Sequence, residues 1–298
     1  MGKDGTNKTS KTGETRMLLG FNLLLWASQI TDEHFPLFAK IKAAGYDGVE
    51  LPLFGGKPED YVPVGRELKD QGLRATAVCV IPDKEHDCTS SDPKVRAEGL
   101  NHLRWALDCL EAAGGEVLCG PFYQPLGIFS GEPPTAEERA GIVEVHKAAA
   151  QYAAKANIRM AVEPLNRFEC YALNTVADAA DIVRKVDEPN YGLLYDTFHT
   201  NIEEKDPVGV IAPHIKQILH VHTSENDRGT PGKGHVPWAE TFKALKGNGY
   251  DGWYVIEAFG RALPGIAEAT RVWRDFFPHT DEVYQFGHDF LRAEWAKA

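Results

Sequence analysis

Four apolar, strand-like runs in the second half of the chain each end on a residue able to bind a metal. They are Arg159-Met-Ala-Val-Glu163, Tyr191-Gly-Leu-Leu-Tyr-Asp196, Gln217-Ile-Leu-His-Val-His222 and Trp253-Tyr-Val-Ile-Glu257. Glu163, Asp196, His222 and Glu257 are 33, 26 and 35 residues apart, one strand-helix unit each time, so consecutive strands can aim all four at one point. Carboxylate oxygens with a single imidazole suit a divalent ion such as Mn²⁺, Co²⁺ or Mg²⁺. Glu163 and Glu257, ending the fifth and eighth strands, can approach a bound substrate from opposite sides. A carboxylate on each face of a carbon next to a carbonyl can remove a proton on one side and deliver one on the other, while a metal neutralises the charge of the enediolate between. Nearby, His199 can hydrogen-bond a substrate hydroxyl or steady a ligand. Glu169 adds a carboxylate after the fifth strand, and Arg228 a guanidinium after the seventh where oxyanion charge develops. Arg167 reads more simply as the partner of an acid.

Positioning these residues takes a repeating scaffold. Strand candidates fall at 18–23, 47–51, 73–80, 116–119, 158–163, 190–195, 217–222 and 252–256. Helical patterns lie between and after them at 32–44, 58–70, 92–113, 136–155, 175–186, 206–213, 237–247 and 264–275. Thr135-Ala-Glu-Glu138 is a capping box, and Thr175-Val-Ala-Asp178 a weaker one. Gly45, Gly72, Gly114 and Gly249 sit where helices should stop in a left-handed residue. Alternation of this kind implies parallel pairing, and eight even repeats close into an α/β fold, the (β/α)₈ barrel, whose reacting groups lie at the carboxyl ends of the strands. An open doubly wound sheet is disfavoured, because no Gly-x-Gly-x-x-Gly follows the first strand. Residues 278–298, with Phe286, Phe290, Leu291 and Trp295, read as an additional C-terminal helix packed on the barrel. The expected organisation is a disordered tail over 1–16 and one catalytic domain over 17–298.

Composition narrows the function. The net charge of −11, from 32 basic and 43 acidic side chains, opposes a phosphate backbone and argues against nucleic acid. No run reaches the roughly 18 apolar residues that span a bilayer, and the stretch 17–27 reads as a buried first strand rather than a leader, since no small-x-small site follows it. Five cysteines without a Cys-x-x-Cys pair suit a reduced, cytoplasmic protein with core thiols.

The runs Glu163-Pro-Leu-Asn-Arg-Phe-Glu169, Asp196-Thr-Phe-His-Thr-Asn-Ile-Glu-Glu204, His222 to Arg228 with Pro231-Gly-Lys-Gly234, and Ile256-Glu-Ala-Phe259 match in order, spacing and type. On them the chain, from about residue 18 onward, resembles the D-tagatose 3-epimerase / D-allulose (psicose) 3-epimerase family of xylose-isomerase-like TIM barrels. The resemblance implies that Glu163, Asp196, His222 and Glu257 bind a metal, usually Mn²⁺ with Co²⁺ or Mg²⁺ accepted. It implies that Glu163 and Glu257 exchange the C3 proton of a ketose through a cis-enediolate. Glu169, His199 and Arg228 would hold the O1 to O3 end of the sugar, and Phe259 would form an apolar wall. It also implies a homo-oligomer, a dimer or tetramer. Phe122, Tyr123 and Phe129 are further candidates for packing on a sugar.

The expectation is a metal-dependent ketose 3-epimerase acting on a free ketohexose or ketopentose. An aldose-ketose isomerase would use the same metal and enediol but move the proton between C1 and C2. A phosphodiesterase of the endonuclease IV type would need additional histidines and a basic rim, and a silent sugar-binding protein would need no proton carriers.

Overall fold

The structure, a computed structural model, describes residues 17–298; the expected tail over 1–16 lies outside the described residues. Eight parallel strands pair in chain order and close into a barrel. They are β1 (Leu18–Asn22), β2 (Gly48–Pro52), β3 (Arg74–Val78), β4 (Val117–Gly120), β5 (Arg159–Val162), β6 (Tyr191–Asp196), β7 (Ile218–Thr223) and β8 (Trp253–Ile256). Closure is made by β1 against β8, with Leu18 opposite Trp253 and Phe21 opposite Ile256. The outer ring comprises α1 (Phe35–Ala43), α2 (Pro58–Asp70), α3 (Pro93–Ala112), α4 (Ala136–Ala153), α5 (Val176–Val186), α6 (Thr197–Glu203), α7 (Ile211–His214), α8 (Trp238–Gly247), α9 (Pro264–Ala269) and α10 (Gly287–Lys297).

The apolar runs become strands because both faces are covered: one looks into the barrel and the other onto helices. One core lies between sheet and helices, around Phe21, Leu51, Val162, Leu193 and Ile256. A smaller one fills the barrel, with Val78, Val117, Ala161, Leu194, Val255 and Trp253. Trp253 plugs the amino-terminal end: its indole Nε1 donates to Glu116 Oε1 at 3.1 Å, and the Arg74 guanidinium lies 5.0 Å from the ring. Gly48 must be glycine there, since a Cβ would stand 2.7 Å from the Trp253 ring and 2.4 Å from the Arg74 carbonyl oxygen.

Thr135 and Glu138 form the expected capping box, as do Thr175 and Asp178. Gly45, Gly72, Gly114 and Gly249 all have positive φ. Two helices differ from expectation. The segment 206–213 is mostly turn, because Asp206 Oδ1 accepts from the Gly209 amide at 2.8 Å, and helix is confined to α7. Helical structure instead follows β6 at once, as Asp196 caps α6 by accepting from the Phe198 and His199 amides. The helix expected over 264–275 ends at Ala269, followed by Arg271 at φ 59°. A π-helical turn, Glu282–Phe286, leads into α10, which packs as expected: Leu291 is buried and Trp295 lies 5.2 Å from Tyr254. Arg292 donates to the Met17 carbonyl at 2.9 Å and pairs with Asp47 at 2.8 Å, tying α10 to the start of β1. No helix of the described residues is long and apolar enough to cross a membrane.

Candidate active site

Carboxyl ends of parallel strands converge on the rim of a closed barrel, and the four strand-end residues meet there. Glu163, Asp196, His222 and Glu257 are buried and each offers one atom within 4.8 Å of the others. His222 Nδ1 stands 3.8 Å from Glu163 Oε1, 3.8 Å from Asp196 Oδ2 and 3.4 Å from Glu257 Oε1. Neither His222 Nδ1 nor Glu163 Oε1 has a hydrogen-bond partner. Ligand atoms held about 2.2 Å from one cation stand about 3 to 4.4 Å apart, which covers these separations. Buried lone pairs without donors are costly unless something positive engages them. The donor set therefore fits a single divalent ion.

Glu163, Glu169, His199, Arg228, Glu257 and Phe259 line one pocket above the barrel, and Asp196 and His222 complete the cluster without lining it. Arg228 connects the groups. Its Nη1 donates to Glu257 Oε2 at 2.6 Å and Asp196 Oδ2 at 3.2 Å, and its Nη2 lies 2.8 Å from His199 Nε2. The guanidinium is held between the rings of Phe198, at 3.8 Å, and Phe259, at 4.9 Å. His199 Nδ1 accepts from the Asn166 backbone amide at 3.0 Å. Asn166 Nδ2 also donates to Glu169 Oε1 at 2.7 Å.

Electrostatics follow from this packing. Burial pushes Glu163 well above the usual carboxylate range; His222 opposes this, while Glu257 and Asp196 add to it. Burial likewise raises Glu169, against the pull of Arg228. Asp196 is buried too, yet the Arg228 guanidinium outweighs that and holds it below the ordinary value. Burial and the Arg228 charge keep His199 neutral. The cluster at the pocket floor thus holds carboxylates of contrasting basicity, Glu163 and Asp196, side by side.

Arg167 pairs with Glu203 at 2.8 Å, outside the pocket. Of the loop after β4, Phe122 and Tyr123 are fully buried and Phe129 is half exposed, and none lines the pocket; Pro121 and Leu126 do. Apart from Thr270 the rest of the wall is apolar, formed by Leu24, Phe54, Val78, Val80, Leu165, Ile266 and Ala269. Sequence reasoning missed Asn22, Glu50, Cys119 and His220, which form a buried polar layer around Glu50. The signal was there: a lone carboxylate in the apolar run Gly48-Val-Glu-Leu-Pro52, and a His-x-His in β7 whose rings share a face. Glu225 was missed as well. It is fully buried and accepts from the amides of Asn226, Gly232 and Val236 and from Trp238 Nε1, which shapes the loop carrying Arg228.

A closed eight-stranded barrel with acids and an imidazole gathered at its carboxyl rim defines a class of barrel enzyme, and comparison with known proteins specifies it. A model of the xylose isomerase-like TIM barrel family matches residues 38–293. A probable ketose 3-epimerase of Synechocystis sp. is 33% identical over 280 residues, covering 94% of this chain and 97% of the relative. The ketose 3-epimerase of Arthrobacter globiformis is 32% identical over 282 residues, covering 93% and 96%. The crystal structure of D-allulose 3-epimerase from Methylomonas sp. in complex with D-allulose superposes with a TM-score of 0.87 at 31% identity, covering 94% of this chain and 98% of that one. The chain belongs to the xylose isomerase-like TIM barrel family, in its branch of carbohydrate epimerases.

Proposed function

We propose that this protein inverts C3 of a free ketohexose or ketopentose, with Glu163 and Glu257 as the two proton carriers. The observation that carries this reading is their meeting in one buried pocket, with ligand atoms within 4.8 Å of each other and of Asp196 and His222. One glutamate takes the C3 proton, the electron pair moves into the enediolate spanning C2 and C3, and the other glutamate returns a proton on the opposite face. Glu163, Asp196, His222 and Glu257 would hold a divalent ion, Mn²⁺ first with Co²⁺ or Mg²⁺ as substitutes, and when bound it supplies Lewis-acid stabilisation of the developing oxyanions. Arg228 and His199 bind and orient the oxygens of the reacting end, and Glu169 holds a hydroxyl there. Phe259 and the apolar wall exclude water from the carbanionic face. Arg228 is the one cationic side chain among the described lining residues, and Asp196 and Glu257 already engage it, so the pocket favours an uncharged sugar over a phosphorylated one.

The test is a panel of D- and L-ketoses in D₂O, with metal-stripped and Mn²⁺-restored protein. The expected result is Mn²⁺-dependent epimerisation with deuterium at C3 of a free ketose. Exchange confined to C1 would assign an aldose-ketose isomerase instead.

A further inference from the structure

Glu50 is the centre of the polar layer inside the barrel, and the proton chemistry above does not use it. It sits in the middle of β2 and is fully buried. Its Oε1 accepts from Asn22 Nδ2 at 3.0 Å and lies 2.8 Å from His222 Nε2. Its Oε2 accepts from Thr76 Oγ1 at 2.9 Å and Cys119 Sγ at 3.1 Å, and lies 2.8 Å from His220 Nε2. A carboxylate has about four acceptor sites, so these five donors saturate it. Glu50, Cys119, His220 and His222 are close enough to ring a second ion, but an ion there would have to break bonds that are already made. The cluster is a hydrogen-bonded network.

The consequence falls on His222. A carboxylate can only accept, so the ring must carry a proton on Nε2 to bond Glu50. In the neutral ring the lone pair is then on Nδ1, the atom that has no partner and faces Glu163, Asp196 and Glu257. We propose that Glu50 is a positioning residue for the metal centre: it fixes the tautomer and ring angle of His222 so that Nδ1 is presented to the ion. The inference rests on the metal-centre reading of those four residues. His220 and Thr76 prevent the carboxylate from turning away, and Asn22 extends the same layer to a second ligand by donating to Glu257 Oε1 at 3.2 Å. Carboxylates placed behind a metal-bound histidine typically govern metal affinity by about 10- to 100-fold.

The test compares the whole chain with Glu50→Gln, which keeps the shape and removes the charge. Metal-stripped protein is titrated with Mn²⁺ while free ion is followed by electron paramagnetic resonance, and thermal unfolding in chelator reports the fold. In parallel, metal-stripped wild-type protein carrying ¹⁵N-histidine, at a pH where the ring is neutral, reports ring tautomers, His222 being assigned by the signal lost in His222→Gln. The expected result is one Mn²⁺ per wild-type chain, binding about 10- to 100-fold weaker in Glu50→Gln, and a His222 proton on Nε2. Unchanged Mn²⁺ affinity in the folded variant overturns the proposal, as does a His222 proton on Nδ1. A second Mn²⁺ lost with Glu50→Gln overturns it too, because the cluster would then be an ion site. If Glu50→Gln does not fold, the wild-type tautomer decides alone. Wild-type protein that binds no ion would bring down the metal-centre reading itself, whereas an unaltered variant brings down only the role of Glu50.

Discussion

Glu257 is held on both oxygens: its Oε1, which faces His222 Nδ1, accepts from Asn22 Nδ2 at 3.2 Å, and its Oε2 takes the Arg228 guanidinium at 2.6 Å. Glu257→Gln keeps this volume but removes the charge and the ability to exchange a proton. We expect kcat to fall by about 10²- to 10⁴-fold with the circular dichroism of the barrel unchanged, and unaltered turnover would sink the two-carrier reading. At this scale the sequence was most legible where chemistry and position coincide. Glu163, Asp196, His222 and Glu257 each end an apolar run, so type and place pointed the same way. Glu50 was harder to read because it lies within a run, and its role shows only once its neighbours on the flanking strands, Asn22 and Thr76, are known. Those neighbours come from other strands, and register between strands is not written in any one segment.

Among the elements, strands were the clearest, because short apolar runs bounded by glycine and charge leave little room to slide. Helices after β6 and β8 were misplaced for local reasons, as Asp196 starts α6 directly and Arg271 follows the early stop of α9. The loop between β7 and α8 was legible only in its residue types. What shapes it is Glu225, whose four donors come from as far on as Trp238. Arg228 stands in this loop at φ 67°, with its carbonyl accepting from the Phe259 amide at 3.0 Å. Glu225→Ala would orphan all four donors at once. We expect a stability loss of about 3 kcal/mol or more, faster amide exchange across 226–238, and a lower kcat/KM because Arg228 loses its seat. Native exchange rates in that loop would show that its geometry has another source.

The molecule as a whole carries a pH dependence set by burial. His146 in α4 lies fully inside the helix layer, donating from Nε2 to the Phe122 carbonyl at 3.0 Å and accepting on Nδ1 from the Tyr191 hydroxyl. Burial pushes its pKa down to about 4, against about 6.5 in an unfolded chain. Between those values the unfolded state binds more protons, so this contribution is complete above about pH 6.5 and is lost as pH falls through 4, up to about 3 kcal/mol. His199 and His220 are depressed in the same sense. Urea unfolding at pH 7 and pH 4.5 should therefore show a smaller loss in His146→Gln than in wild type, and equal losses would refute the assignment.

Because β1 hydrogen-bonds to β8, and Arg292 reaches back to the Met17 carbonyl, the earliest strand waits for the latest residues before it is satisfied. During translation, a nascent chain that stops short of residue 253 presents two unpaired edges to its surroundings. The ring can therefore be completed only once β8 has emerged from the ribosome, and until then both open edges are free to pair with other chains.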